Sequence, residues 1–188
     1  MSGGIPKRHV PGIPLLDRID GALCKAEKLF SVSVFVVMLT LMVVQVIFRY
    51  FLKIGIPWVE ELIRFMFVAT SFVAAAHLSQ DRDHIAIDII NAPIRAIPDE
   101  RRRERVDRSL WMLADIISLV VTYFLVLRCH HFTRNMFRTH QISPSMEVEM
   151  YIVTAFMELG FVLMAIHYLI KVLNGVYIAA KARREGTA

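Results

Sequence analysis

Four stretches of this chain are too apolar and too long to fold as parts of a soluble core. Leu29 to Phe48 runs 20 residues without a charge. Phe65 to Gln80, Ser109 to Leu127 and Met150 to Ile170 follow, the third broken only by Asp115 and the fourth only by Glu158. A helix of about 20 residues, at about 1.5 Å per residue, crosses about 30 Å of hydrocarbon. Because lipid offers the backbone no hydrogen bonds, each stretch is expected to satisfy its own as an α-helix. The chain has 188 residues and is 56% hydrophobic, whereas a soluble domain is about 45–50% apolar. Four spans with their connections use up that length. The expected fold class is therefore an all-α membrane protein: four transmembrane helices plus a short membrane-surface segment between spans two and three.

The second stretch has only 16 uncharged residues, about 24 Å of helix, so its helix should begin earlier, near Pro57 and Trp58. Proline suits a first helical turn, and Trp suits the membrane–water boundary. That start carries Glu60, Glu61 and Arg64 to the edge of the hydrocarbon.

The net charge of +5 does not point to nucleic acid, because the basic residues lie between apolar blocks rather than on a soluble face. They gather on alternate sides instead. Lys7, Arg8, Arg18, Lys25 and Lys28 precede span one. Arg82, Arg95, Arg101, Arg102, Arg103, Arg105 and Arg108 separate spans two and three, and Lys171, Lys181, Arg183 and Arg184 close the chain. The other two connections hold only Arg49, Lys53 and Arg64, then Arg128, Arg134 and Arg138. The richer side is expected to be cytoplasmic, which places both termini inside. Cys24 and Cys129 then stand about a membrane thickness apart and cannot pair.

Residues 1–24 are read as a flexible cytoplasmic tail, 25–175 as the membrane domain and 176–188 as a cytoplasmic C-terminal tail. The first twenty residues are rich in Gly and Pro and lack the apolar core of a cleavable signal peptide. Between spans two and three, Ile85, Ile87, Ile89, Ile90, Ile94 and Ile97 follow neither a strand nor a helix period. A segment lying flat on the membrane is the preferred reading. Asp99, after Pro98, looks like the cap of a basic helix that runs into span three.

Several polar residues are candidates for chemistry. Glu60–Arg64 and Glu61–Arg64 have the spacing of helical ion pairs, and Arg49 at the same depth could bridge spans one and two. A bridge fixing the hairpin and a contact with a partner subunit both fit. Asp115 and Glu158 are intramembrane acids, functional candidates by default. Their depths differ, so a shared ion site is disfavoured against a buried hydrogen bond or a protein contact. His77 and His167 fall at similar depths near the ends of spans two and four, where two imidazoles could ligate a haem b. Cys129, His130, His131 and His140 lack the spacing of a metal site. There is no Gly-rich phosphate loop and no nucleophile–base arrangement. Span two carries small residues, with Thr70 and Ala74, and Ser71 and Ala75, each four apart and Ala69 and Ala76 nearby, a pattern that permits close helix packing in lipid.

Four motifs in order carry a resemblance. Gln45-Val46-Ile47-Phe48-Arg49-Tyr50 closes span one, and Pro57-Trp58-Val59-Glu60-Glu61-Leu62-Ile63-Arg64-Phe65 opens span two. Arg82-Asp83-His84-Ile85-Ala86-Ile87-Asp88 follows span two, and Ser143-Pro144 precedes span four. Over roughly Lys25 to Lys171 the chain resembles the small membrane subunit of tripartite ATP-independent periplasmic (TRAP) transporters. Family members often have a Gly near Val73–Ala74, where this chain has Ala. The resemblance implies a three-part bacterial inner-membrane importer. A periplasmic substrate-binding protein captures an organic acid anion, and a large TRAP membrane subunit moves it with Na⁺. The small subunit, with no enzyme activity and no cofactor, braces the large one. It further implies an outer structural cluster of Gln45, Arg49, Trp58, Glu60, Glu61 and Arg64, and an inner one of Arg82, His84 and Asp88. The outer loops, with Arg134 and Arg138, would then lie where the binding protein docks. The alternative is a haem b-binding membrane anchor of an oxidoreductase.

Overall fold

The computed structural model describes residues 13–80 and 100–185. Helix α1 covers Pro14–Ile47, α2 Pro57–Gln80, α3 Glu100–Thr139 and α4 Met150–Glu185. Each holds a stretch long and apolar enough to span a membrane: Pro14–Leu52, Pro57–Ser79, Ser109–Thr139 and Met150–Ala180. Among the described residues there is no strand, only an isolated bridge between Ile142 and Glu149. The protein is an all-α membrane protein with four spans.

Local chemistry sets the helix ends. Pro14 opens α1, where its missing N–H removes no helical bond. The helix passes through one π-helical turn, Phe48–Leu52, and stops at Lys53, which is left-handed with φ 52°. The Ile54 N–H returns to the Phe48 carbonyl at 3.3 Å. Gly55 and Ile56 lead to Pro57, which starts α2 at the position its apolar length requires. Between α3 and α4, His140 and Glu147 are also left-handed. There the Ser143 N–H donates to the Val148 carbonyl at 2.9 Å, and the Met150 N–H to the Gln141 carbonyl at 2.8 Å.

Two expected boundaries move. Residues 14–24 are the first turns of α1 rather than part of an irregular tail, because their polar side chains bind α4 and α2, as described below. At the other end α4 runs through to Glu185, so no break falls at residue 175. A basic helix does lead into span three, beginning at Glu100. The proposed membrane-surface segment lies outside the described residues.

The helices pack as a row. α3 lies against α4, α4 against α2, and α2 against α1, while α1 meets α4 over a much smaller area. Each seam follows a helical repeat. Asp115, Thr122 and Cys129 of α3 are buried seven residues apart, the spacing of a packed helix seam. On α2 the buried positions include Ala69, Thr70, Val73 and Ala76, whereas Ser71 is exposed. The small-residue face is therefore narrower than its spacing suggested. A row has two broad open faces, and large apolar side chains cover both: Leu29, Val43, Val120 and Tyr123 are each at least 60% exposed. Only lipid or another membrane protein can cover such surface.

The closest approach lies between α2 and α4. A Cβ on Gly160 would stand 2.7 Å from the backbone carbon of Phe72, closer than atoms can pack. Gly160→Ala should therefore cost about 1–3 kcal/mol as an overpacked contact and lower the unfolding temperature of the detergent-purified protein. Gly175→Ala is the control, since its added Cβ meets only Met112 Cγ at 3.9 Å. Equal unfolding temperatures for the two variants would contradict this seam.

Candidate functional site

Polar side chains gather at the two ends of the row. At the loop end, Glu61 lies one turn into α2 and is 4% exposed. Its Oε2 accepts three hydrogen bonds, from Ser143 Oγ at 2.9 Å and from the N–H groups of Ser145 and Met146 at 3.0 Å each. Ser143 Oγ also accepts from the Met146 N–H at 3.2 Å. Glu61 thus clasps the loop that leads into α4. A buried carboxylate needs donors of this kind, and backbone N–H groups in a tight turn supply them without another charge.

The neighbouring residues are arranged differently. Arg49 Nη1 reaches Glu60 Oε1 at 3.5 Å, with both side chains largely exposed. This contact bridges α1 and α2, but at such exposure it contributes little. Arg64 is exposed, Trp58 is half-exposed, and Gln45 is half-buried on α1. Arg82, His84 and Asp88 lie outside the described residues.

At the end that carries the termini, α4 presents His167, Lys171 and Asn174, spaced to share one face. His167 is fully buried. Its Nδ1 meets Asp20 Oδ1, and its Nε2 meets both oxygens of Glu27 at 3.0 and 3.1 Å. Each ring nitrogen thus has a carboxyl partner on α1. Lys171 Nζ donates to the Ser79 carbonyl, in the last turn of α2. Asn174 Nδ2 donates to Asp17 Oδ1 at 2.9 Å, and its Oδ1 accepts from the Ile13 N–H at 3.1 Å. Cys24 Sγ lies 2.8 Å from His77 Nδ1. Together these contacts tie α4 to both α1 and α2.

This geometry removes the ground for the haem reading. Both His167 nitrogens face carboxylates, and His77 Nδ1 faces a thiol, so the two rings are not turned toward one shared ligand. Among the described residues no group of three His, Cys, Asp or Glu is placed to hold a metal ion. Glu158 pairs with His130 Nδ1 at 2.8 Å. Asp115 is buried 15 residues before His130, about 22 Å along α3, so the two intramembrane acids do not share a site. Among the described residues these contacts fasten helix to helix.

Removing one member of the buried triad should cost more than removing all three. His167→Leu leaves Asp20 and Glu27 facing each other across the vacated site, at about 3–5 kcal/mol. The triple variant His167→Leu, Asp20→Leu, Glu27→Leu should regain most of that loss, as measured by thermal unfolding in detergent. A single variant as stable as the triple would show that the charges are not coupled.

The comparisons agree with the fold. The profile described as "Tripartite ATP-independent periplasmic transporters, DctQ component" matches residues 38–177. The chain is 24% identical over 164 residues to the ectoine TRAP transporter small permease protein TeaB of Halomonas elongata, covering 87% of this chain and 81% of that protein. It is 29% identical over 108 residues to a TRAP transporter small permease protein of Haemophilus influenzae, covering 57% of this chain and 61% of that one. It is also 25% identical over 162 residues to the isethionate TRAP transporter permease protein DctMQ of Oleidesulfovibrio alaskensis, covering 83% of this chain but only 24% of that much longer protein. With four apolar spans and a family match over most of its length, the chain belongs to the DctQ component, the small permease subunit, of the tripartite ATP-independent periplasmic transporters.

Proposed function

We propose that this subunit is a passive brace, without enzyme activity, for a large transport subunit in the bacterial inner membrane. The row of helices carries the reading: two wide apolar faces, with the Glu61 and His167 clusters locked at the ends. Among the described residues such a shape encloses no path for a solute, and it offers a partner a broad fixed wall. The isethionate relative supports a large membrane partner, because there the matching segment is one part of a much longer permease. In this scheme a periplasmic binding protein delivers an organic acid anion, and the large subunit moves it with Na⁺. Relatives named for ectoine and for isethionate differ in substrate, so the substrate is chosen elsewhere in the complex.

The same proposal sets the topology and the roles of the motif residues. Both termini face the cytoplasm, because the arginine-rich connection and both tails share one side. Gln45, Arg49, Trp58, Glu60, Glu61 and Arg64 then hold the periplasmic end of the brace. Arg82, His84 and Asp88 serve its cytoplasmic end.

Two measurements test this. Glu61→Ala removes the acceptor of three hydrogen bonds, so the assembled transporter should take up its substrate several-fold more slowly. Normal uptake by an intact complex would rule out a bracing role for Glu61. Reconstituted alone, this chain should carry no solute, and restoring the large subunit should restore uptake. Transport by this chain by itself would overturn the proposal.

A further inference from the structure

Ser31 of α1 and Thr70 of α2 are polar side chains in an apolar setting. Each is 8% exposed. Among the described residues neither Ser31 Oγ nor Thr70 Oγ1 has a hydrogen-bond partner. A helical Ser or Thr can donate back to a carbonyl about one turn earlier, as Ser79 and Thr154 do to Ala76 and Tyr151. Ser31 and Thr70 do not. Both lie within the uncharged runs of their helices, where lipid on the open sides offers no acceptor. A buried hydroxyl without a hydrogen bond is destabilising, so each is expected to have a partner that is not a protein atom.

The register of the helices brings the two hydroxyls together. Cys24 Sγ of α1 lies 2.8 Å from His77 Nδ1 of α2, and the two helices run in opposite directions. Ser31 is seven residues after Cys24, and Thr70 is seven before His77. Both steps lead about 10.5 Å toward the loop end, and each turns the side chain by only about 20°. Ser31 and Thr70 therefore face each other, one layer closer to the loop end than Cys24 and His77. A third polar group borders the same place. Glu27 precedes Ser31 by four residues, which sets their Cβ atoms about 5–6 Å apart. Glu27 is buried, and its oxygens lie 3.0 and 3.1 Å from His167 Nε2. One ring nitrogen cannot use up a carboxyl group, which offers about four acceptor sites. α4 comes close at this level too, since Phe30, beside Ser31, stacks on Phe156 with ring centroids 6.4 Å apart.

We propose that Ser31, Thr70 and Glu27 hold one buried water that joins α1 to α2 beside the His167 triad. The water accepts from the two hydroxyls and donates to the Glu27 carboxyl. About three partners is the usual number for a buried water, and the gap from Glu27 to Ser31 is that of two hydrogen bonds of about 2.8 Å end to end. A cation suits the place less well, because it would leave both hydroxyl protons without an acceptor. The inference rests on the fold and not on the transport reading.

A double-mutant cycle on the full-length protein in detergent tests it. Ser31→Ala and Thr70→Val each remove one hydroxyl with little change of shape. Each should lower the unfolding midpoint by about 2–4 °C, the shift of one lost hydrogen bond in a chain of this size. The double variant should lose less than the two singles added, because both hydroxyls share one water. Thr70→Ser keeps a hydroxyl and should keep the coupling to Ser31. In bilayers, magic-angle-spinning NMR should transfer magnetisation from water to the Thr70 side chain more strongly than to Val73, also buried and one turn away, and Ser31→Ala should abolish the difference. Unchanged or raised midpoints in the single variants would overturn the proposal, and so would strictly additive losses or equal transfer to Thr70 and Val73. A wild-type midpoint that rises in Na⁺ relative to choline, with no such rise in Thr70→Val, would put a cation there and overturn it as well.

Discussion

Lipid gives two helices no hydrophobic reason to associate, because the acyl chains around them are as apolar as their side chains. A flat row feels this constraint more than a closed bundle, since most of its surface already faces lipid or a partner. The row must therefore be held by the few interactions that lipid cannot replace. One is close backbone contact, which Gly160 supplies against Phe72. The others are polar groups that would be costly to leave bare in hydrocarbon. His167 between Asp20 and Glu27 is the most buried of these, and it joins α4 to α1, which otherwise touch little.

The two polar clusters do complementary work. The Glu61 clasp fixes the loop between α3 and α4 against α2, and so sets how α4 enters the membrane. The ladder of His167, Lys171 and Asn174 fixes where α4 leaves it, against α1 and the end of α2. α4 is thus held at both ends and wedged at its middle by Gly160. It is the spine of the row, with α2 on one side and α3 on the other. The termini-side ladder also serves backbone groups at helix ends: the Ile13 N–H and the Ser79 carbonyl both bond α4 side chains.

The spans could be read from the sequence because their signal is composition over length, which needs no knowledge of partners. Pro57 and the need for length located the start of α2. The motif around Glu61 marked a residue of consequence, but spacing along one helix pointed to Arg64, whereas the carboxylate binds Ser143, Ser145 and Met146, more than eighty positions away. Local periodicity cannot see such a contact. The ladder was hidden for another reason. Asp17 and Asp20 lie in a segment opened by Gly and Pro, which reads as a tail, and so His167 was left with no acid to meet. Their spacing from Glu27, on one side of a helix, was the available signal, and it has meaning only once residues 14–24 are taken as helical.

Position along the membrane normal is what makes the charged residues fit the proposed bracing role. A carrier needs polar groups near the midplane that a solute can reach, and those groups must be able to change partners. Here Glu61 lies at one end and the His167 triad toward the other, each enclosed by hydrogen bonds within the protein. Asp115 and Glu158, the acids within the spans, stand about 20 Å apart along α3 and its neighbour, and Glu158 is paired with His130. Rearranging any of these groups would loosen a helix joint. In the proposed role the physical economy is that of a wall: rigid where its ends are pinned, apolar where it is broad, and suited to stay still while another body moves beside it.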